Sequence, residues 1–344
     1  MLGYENFLIV FLYVLTLNFF FSKISLLKDK KEISKHKSFI NQKLKPPISG
    51  GIFFLLTVLI FFPNEDFYLK ASLLLIFFIG FFSDLNILKS PNLRFFFQII
   101  VVIFSVIYLD NLIQSVRIGF IDQLFENYLI KLFFTSFCIL ILINGSNFID
   151  GVNTLTIGYY FLVLLFVSFI FSGFENSFLN LNLLYMLIFI LGLLLILNFF
   201  ELLYLGDNGA YIISFLVGIF LIDIANKNIL ISPYYVMNLL WYPAYENLFS
   251  IIRKLIFKKS PSNPDNEHLH QLIYIFLKKN IKKNNFFSNS LTGILICIYN
   301  LIYFNLIFNY FYNTKILVFS ILFNVTLYNI TFIFLNKFQK KLIL

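Results

Sequence analysis

Charge is what this sequence has least of. Asp, Glu, Lys and Arg make up 12% of its 344 residues, against about 25% in soluble domains. So few charges cannot cover a water-facing surface, and a 60% hydrophobic content is too much for one soluble core. Cysteine is scarce too. Cys138 and Cys297 both lie inside apolar runs, so a disulfide framework is not indicated and both read as small buried side chains. A cleavable leader pattern is missing: the first apolar run, 7–21, has acidic Glu5 in front and lysines behind. That is the reverse of a signal peptide and reads as a retained span. No internal repeat is visible, which weakens a transporter built from inverted halves. The basic segments carry no compact recognition fold, so the net charge of +9 does not read as nucleic-acid binding.

What is present is a succession of apolar runs close to the length of about 20 residues that crosses a hydrocarbon core. About eleven spans are expected, at 6–22, 48–62, 69–83, 94–109, 130–146, 156–173, 181–199, 209–224, 229–251, 290–308 and 315–335. Lipid offers no partner to a backbone N–H or C=O, so each must be helical. The fold class is all-α, a polytopic transmembrane helical bundle forming a single integral-membrane domain over 1–344. Basic residues set its orientation. Lys23, Lys28, Lys30, Lys31, Lys35, Lys37, Lys43 and Lys45 follow the first span, and Lys89 and Arg94 follow the third. Arg253, Lys254, Lys258, Lys259, Lys278, Lys279, Lys282 and Lys283 follow the ninth, and Lys337, Lys340 and Lys341 lie in the tail. These fall on one side, leaving Lys70, Arg117, Lys131, Lys227 and Lys315 on the other. The N-terminus is then outside and the C-terminus cytoplasmic, with cytoplasmic loops at about 23–47, 83–94, 144–156, 199–210 and 252–289. The lysines also suit contact with anionic membrane lipid, at about 1 kcal/mol each.

Two of those loops have almost no Lys or Arg and are rich in Asn, Asp and Gly instead. One runs Asn144-Gly-Ser-Asn147-Phe-Ile-Asp150-Gly151-Val-Asn153; the other contains Gly206-Asp207-Asn208-Gly209. Ser83-Asp84-Leu-Asn86, Pro46-Pro47-Ile-Ser-Gly50-Gly51 and Asp265-Asn-Glu267-His268-Leu-His270-Gln271 complete the set, all expected on one side. Asp84, Asp150 and Asp207 are hard oxygen donors, and Mg²⁺ favours one or two carboxylates together with substrate phosphate oxygens. Asn144 and Asn147 share a face if a helix runs through them. Taken singly the pieces have plainer readings: Asp84 as a helix cap, the Asp-Gly pair as a turn, the two histidines as solvated. Glu246, an acid inside a span, is either functional or a structural charge near Arg253. Their joint occurrence on one side is what points to a phosphate and divalent-ion cleft.

These residues resemble the polyprenyl-phosphate N-acetylhexosaminyl-1-phosphate transferases, glycosyltransferase family 4, over roughly residues 35 to 285. Asn144 to Gly151 looks like that family's Asn-x-x-Asn-x-x-Asp-Gly signature. Gly206 to Gly209 looks like Gly-Asp-x-Gly-Ser, with Ala210 in place of Ser. Pro47 to Gly51 resembles Pro-Arg-x-Gly-Gly with Ile48 in place of Arg, and the His268/His270 segment is similar to the loop of the GlcNAc-type branch. The family pairs two aspartates after the third span, where this chain has Ser83-Asp84. The resemblance implies transfer of a sugar-1-phosphate from a UDP-sugar to undecaprenyl phosphate, with release of UMP, at the bacterial inner membrane. Envelope polysaccharide would begin with that step. It implies Mg²⁺, with Mn²⁺ as a substitute, held by Asp207 and Asp84. Asp84, Asp150, His268 and His270 would be catalytic, and Lys45, Gly50, Gly51, Asn144, Asn147 and Asn153 would bind substrate. A homodimer is left open. Ser83 also leaves room for a catalytically altered or silent relative serving as a scaffold for glycan assembly. A transporter of phosphorylated solutes is the remaining alternative.

Overall fold

The structure, a computed structural model, describes residues 3–23, 27, 46–61, 67–171, 181–258, 260, 267–281 and 285–343. Among them the regular structure is helical: α1 (Tyr4–Lys23), α2 (Gly50–Phe61), α3 (Phe67–Asp84), α4 (Pro91–Tyr108), α5 (Gly119–Leu124), α6 (Tyr128–Ile149), α7 (Leu155–Phe171), α8 (Leu181–Phe199), α9 (Gly206–Lys227), α10 (Pro233–Leu239), α11 (Trp241–Ile256), α12 (Leu269–Ile281), α13 (Asn285–Phe308) and α14 (Thr314–Ile343). Eight of these helices are long and apolar enough to cross a membrane, namely α1, α3, α4, α6, α8, α9, α13 and α14; α2 and α7 are shorter apolar helices. The all-α polytopic bundle expected from the sequence is the fold observed.

Helix α9 is the axis. It is apolar on every face, as a helix buried on every face must be, and it is almost wholly enclosed, packing on α2, α3 and α6. Small residues allow the close approach that binds helices together in lipid. A Cβ added to Gly80 of α3 would overlap the backbone of Asn208, and one added to Gly51 of α2 would overlap Gly209. The segment leading into α2 runs beside the entry to α9: Gly50 N–H donates to Tyr204 O (3.1 Å) and Tyr204 N–H to Pro47 O (2.9 Å). The ends of α3 and α6 and the starts of α2, α4 and α9 therefore gather around one end of the bundle.

Three expectations need correction. The apolar run 229–251 is not one span but two helices separated at Leu240 (φ −108°, ψ 8°). Ser232 caps α10 through Tyr234 N–H, with Pro233 at its first turn, a pairing that fixes a helix start. The second helix, α11, is then free to turn a polar face inward. Glu246, Asn247, Ser250, Arg253 and Lys254 are buried, while Ile252, Leu255 and Ile256 are exposed. The loop expected at 144–156 is largely helix, because α6 continues to Ile149, and the long loop at 252–289 contains α12.

Candidate functional site

The sequence around Leu205 offers α9 no capping side chain, yet the first N–H groups of a helix require acceptors. Asp84, at the end of α3, supplies them. Its Oδ1 accepts from Asp207 N–H (3.0 Å), and its Oδ2 from Asn208 N–H (3.0 Å) and the Asn208 side-chain amide (2.6 Å). Gly206, at φ +80°, lets the chain pass: a Cβ there would lie 2.8 Å from Asp84 Oδ2, and positive φ is costly for other residues. A carboxylate at a helix N-terminus is favoured by charge as well as by hydrogen bonding.

The next residues outward form a tight group. Ser83 Oγ donates to Asp207 Oδ2 (2.6 Å), and Arg94 Nη1 reaches both Ser83 Oγ (2.6 Å) and Asp207 Oδ2 (2.7 Å). Arg94 and Asp207 are 21% and 24% exposed, so the pair opens to one side only. Arg94 is carried on the first turn of α4, which is fixed by the Ser90 cap and Pro91. Tyr211 of α9 lies beside the guanidinium, and Asn147 donates to its hydroxyl (3.5 Å). Asn144, one turn earlier on α6, donates to Gln98 Oε1 of α4 (3.0 Å). The helical spacing expected of Asn144 and Asn147 is present, and it ties α6 to α4 and α9.

The same end of α6 meets the histidines. Glu246 is fully buried. Its Oε1 lies 2.9 Å from His268 Nδ1 and its Oε2 accepts from the Tyr328 hydroxyl (2.8 Å). An ionised carboxylate only accepts, so this contact places the proton on Nδ1 and directs Nε2 away from Glu246. His268 and His270 stack at 5.6 Å, and Phe148 of α6 lies 5.1 Å from the His268 ring. A Cβ on Gly151 would be 2.7 Å from His270 Nε2, so the Asp150-Gly151 turn, where Asp150 caps the C-terminus of α6, rests against that ring. Arg253 pairs with Glu267 and holds the start of the histidine segment to α11.

Three more predicted residues, Asn153, Gly50 and Gly51, pack at the same end, behind this group. Asn153 is buried; its amide donates to Glu201 Oε1 (3.1 Å), and its backbone N–H donates to Asn289 (3.3 Å). Burial pushes the Glu201 carboxyl up to about 7, against the downward pull of hydrogen bonds from Asn153 and Asn289. Gly50 and Gly51 are buried where α2 meets α9. Lys45, with Asp265, lies outside the described residues.

Arg94, Gln98, Tyr211 and Glu201 were not singled out by the sequence. Arg94 counted there only as a topology charge, and Glu246 was undecided between two roles. The available signal for Arg94 was its place one turn into a span directly after the Ser83-Asp84 pair.

The donor set implied for a divalent ion does not stand open in this arrangement. Both Asp84 oxygens accept from the start of α9, and Asp207 Oδ2 accepts from Arg94 and Ser83. Among the described residues, no three His, Cys, Asp or Glu side chains are grouped to hold a metal. The cationic group of the arrangement is the Arg94 guanidinium, which is of the kind that can meet phosphate oxygens.

A comparison with curated proteins gives no match. Residues 67–225, which include Asp84, Arg94, the Asn144–Asp150 stretch and Asp207, match the model of glycosyl transferase family 4. Over that stretch, with its motif residues assembled at one end of a polytopic bundle, the chain is similar to that family, the polyprenyl-phosphate hexosamine-1-phosphate transferases.

Proposed function

We propose that this multi-pass membrane protein transfers N-acetylhexosamine-1-phosphate from a UDP-sugar to undecaprenyl phosphate at the cytoplasmic face of a bacterial inner membrane. The observation that carries the reading is the junction of Ser83-Asp84, Arg94 and Asp207-Asn208, joined by the end of α6 to the Glu246-held His268. An oxygen of the lipid phosphate attacks the β-phosphorus of the donor. The bond from that phosphorus to the bridging oxygen breaks, and UMP departs with the electron pair. Such a reaction asks the protein mainly for alignment and charge neutralisation. A lipid phosphate monoester, with a second pKa near 6, is already mostly dianionic at neutral pH, so it needs placement more than deprotonation.

The residues suit those tasks. Arg94 offers a planar guanidinium to phosphate oxygens. Asp84 fixes the start of α9 and thereby the backbone on which Asp207 stands. His268, oriented by Glu246, and His270, braced on Gly151, present rings beside the α6 turn. Phe82, Leu93, Phe96 and Phe97 are exposed on α3 and α4 next to Ser83 and Arg94, a surface on which a prenyl tail stays in hydrocarbon while its phosphate reaches the site.

The test uses full-length protein in detergent with undecaprenyl phosphate and a panel of UDP-N-acetylhexosamines. Lipid-dependent UMP release with one or more donors is expected. Absence of UMP with every donor, from protein shown to be folded, would contradict the reading and favour the silent scaffold that Ser83 first suggested.

A further inference from the structure

We propose that Arg94 is a built-in competitor for the divalent cation: its guanidinium occupies Asp207 Oδ2, so an ion can bind there only by displacing it. The inference rests on the transferase reading only in supposing that a divalent ion arrives with the diphosphate.

Three observations converge. One guanidinium nitrogen is shared between Asp207 Oδ2 (2.7 Å) and Ser83 Oγ (2.6 Å), while the Ser83 hydroxyl itself donates to the same carboxylate oxygen (2.6 Å). The oxygen is thus already doubly engaged, and its charge is neutralised by a cation that cannot be deprotonated. Secondly, position 83 carries a hydroxyl and not a carboxylate. Position 83 thus adds no negative charge that would favour a divalent ion over the guanidinium, and Ser83 serves as part of the Arg94 cradle. Thirdly, Arg94 is under-satisfied where it stands. Its Nε is buried without a hydrogen-bond partner among the described residues, and it sits on the positive end of α4, where a cation is disfavoured. A guanidinium so placed gains by meeting phosphate oxygens, with which it can form two parallel bonds.

The consequence is exchange. In the resting protein Asp207 Oδ2 is occupied by Arg94 and Ser83. Were a divalent ion to arrive with a diphosphate, the guanidinium would be able to meet the phosphate oxygens and Asp207 would be the carboxylate left to hold the ion. Cation alone should therefore bind poorly, and Arg94, not the number of carboxylates, should set that weakness. Binding of the two ligands then becomes mutually favourable, as thermodynamic linkage requires.

The experiment is Mn²⁺ binding to full-length, detergent-solubilised protein, followed by the electron paramagnetic resonance signal of free Mn²⁺ without any nucleotide or lipid. Arg94→Gln is expected to bind Mn²⁺ about tenfold more tightly than wild type, a factor equivalent to about 1.4 kcal/mol. The gain should vanish in Arg94→Gln/Asp207→Asn, which locates the ion at Asp207. Ser83→Ala, which removes an acceptor of Arg94 and keeps the charge, is expected to tighten binding by about threefold, and it carries the test if Arg94→Gln does not fold. Affinity in the folded variant within about twofold of wild type, a difference too small to assign to an ion pair, would overturn the proposal. So would a gain that survives Asp207→Asn. The readout needs no turnover. Lipid-dependent UMP release without the Mn²⁺ gain would leave the transferase standing and remove the Arg94 role; the gain without UMP release would do the reverse.

Discussion

At the scale of single residues, the site depends on side chains that hold other side chains. Glu246 touches His268 and Tyr328 from a fully buried position, so its effect on turnover passes through the imidazole. Glu246→Gln should lower kcat by about a hundredfold, the lower end of what a positioned acid–base group contributes, with little change in KM. His268→Ala should cost as much, and the double variant no more than either alone. Additive losses in a folded double variant would assign the two residues to separate tasks. Glu201 makes a different prediction. Its carboxyl is held up to about 7 from an ordinary 4.5, so between those values the folded chain keeps a proton that the unfolded chain releases. Stability from this group is present below the lower value and is lost as pH rises through the upper one. The apparent melting temperature should therefore fall across that window, and Glu201→Gln should flatten the slope; an unchanged slope would remove Glu201 from the account. Asn144 and Asn147 were legible in the sequence because helical spacing is a local property. The capping of α9 by Asp84 was not, because donor and acceptor are 123 residues apart and nothing near Leu205 announces a missing cap.

At the scale of elements, close helix contacts around α9 hold the Ser83-Asp84, Arg94 and Asp207 junction in register. Gly80 and Gly51 lie where α3 and α2 touch the backbone at residues 208–209. Gly80→Ala should destabilise the protein by about 1–3 kcal/mol, the usual cost of overpacking, and should reduce activity more than an alanine substitution at exposed Phe78. Equal melting temperatures for wild type and Gly80→Ala would show that α3 can move away without loss. Most helices were readable as apolar runs, since lipid exposure and internal burial both demand apolar residues. The same property hid the division between α10 and α11. The run from 229 to 251 stays apolar until Glu246, and the interruption at Leu240 carries neither Gly nor Pro at the break itself. Inward polarity on α11 is visible only once its partners are known, because in a membrane a polar face marks the protein interior.

At the scale of the whole molecule, the polar residues singled out in five separate stretches of sequence had one common feature, an expected position on the same side of the membrane. Four of those stretches meet at one end of the bundle: 46–51, 83–86, 144–153 and 206–209, with the histidine pair at 268–270 against the α6 turn. Lysine asymmetry alone was enough to group them, because topology depends on counting charges and not on knowing contacts. What it could not supply was the order of contacts within the group, above all the guanidinium between Ser83 and Asp207. The most direct test of the central claim is the identity of both products formed by the purified protein from undecaprenyl phosphate and the accepted UDP-sugar. Mass spectrometry should find a diphosphate-linked lipid sugar with an equal amount of UMP, and Asp207→Asn should abolish both. A monophosphate-linked lipid sugar accompanied by UDP would mean that the sugar alone had moved, and would contradict a sugar-1-phosphate transferase.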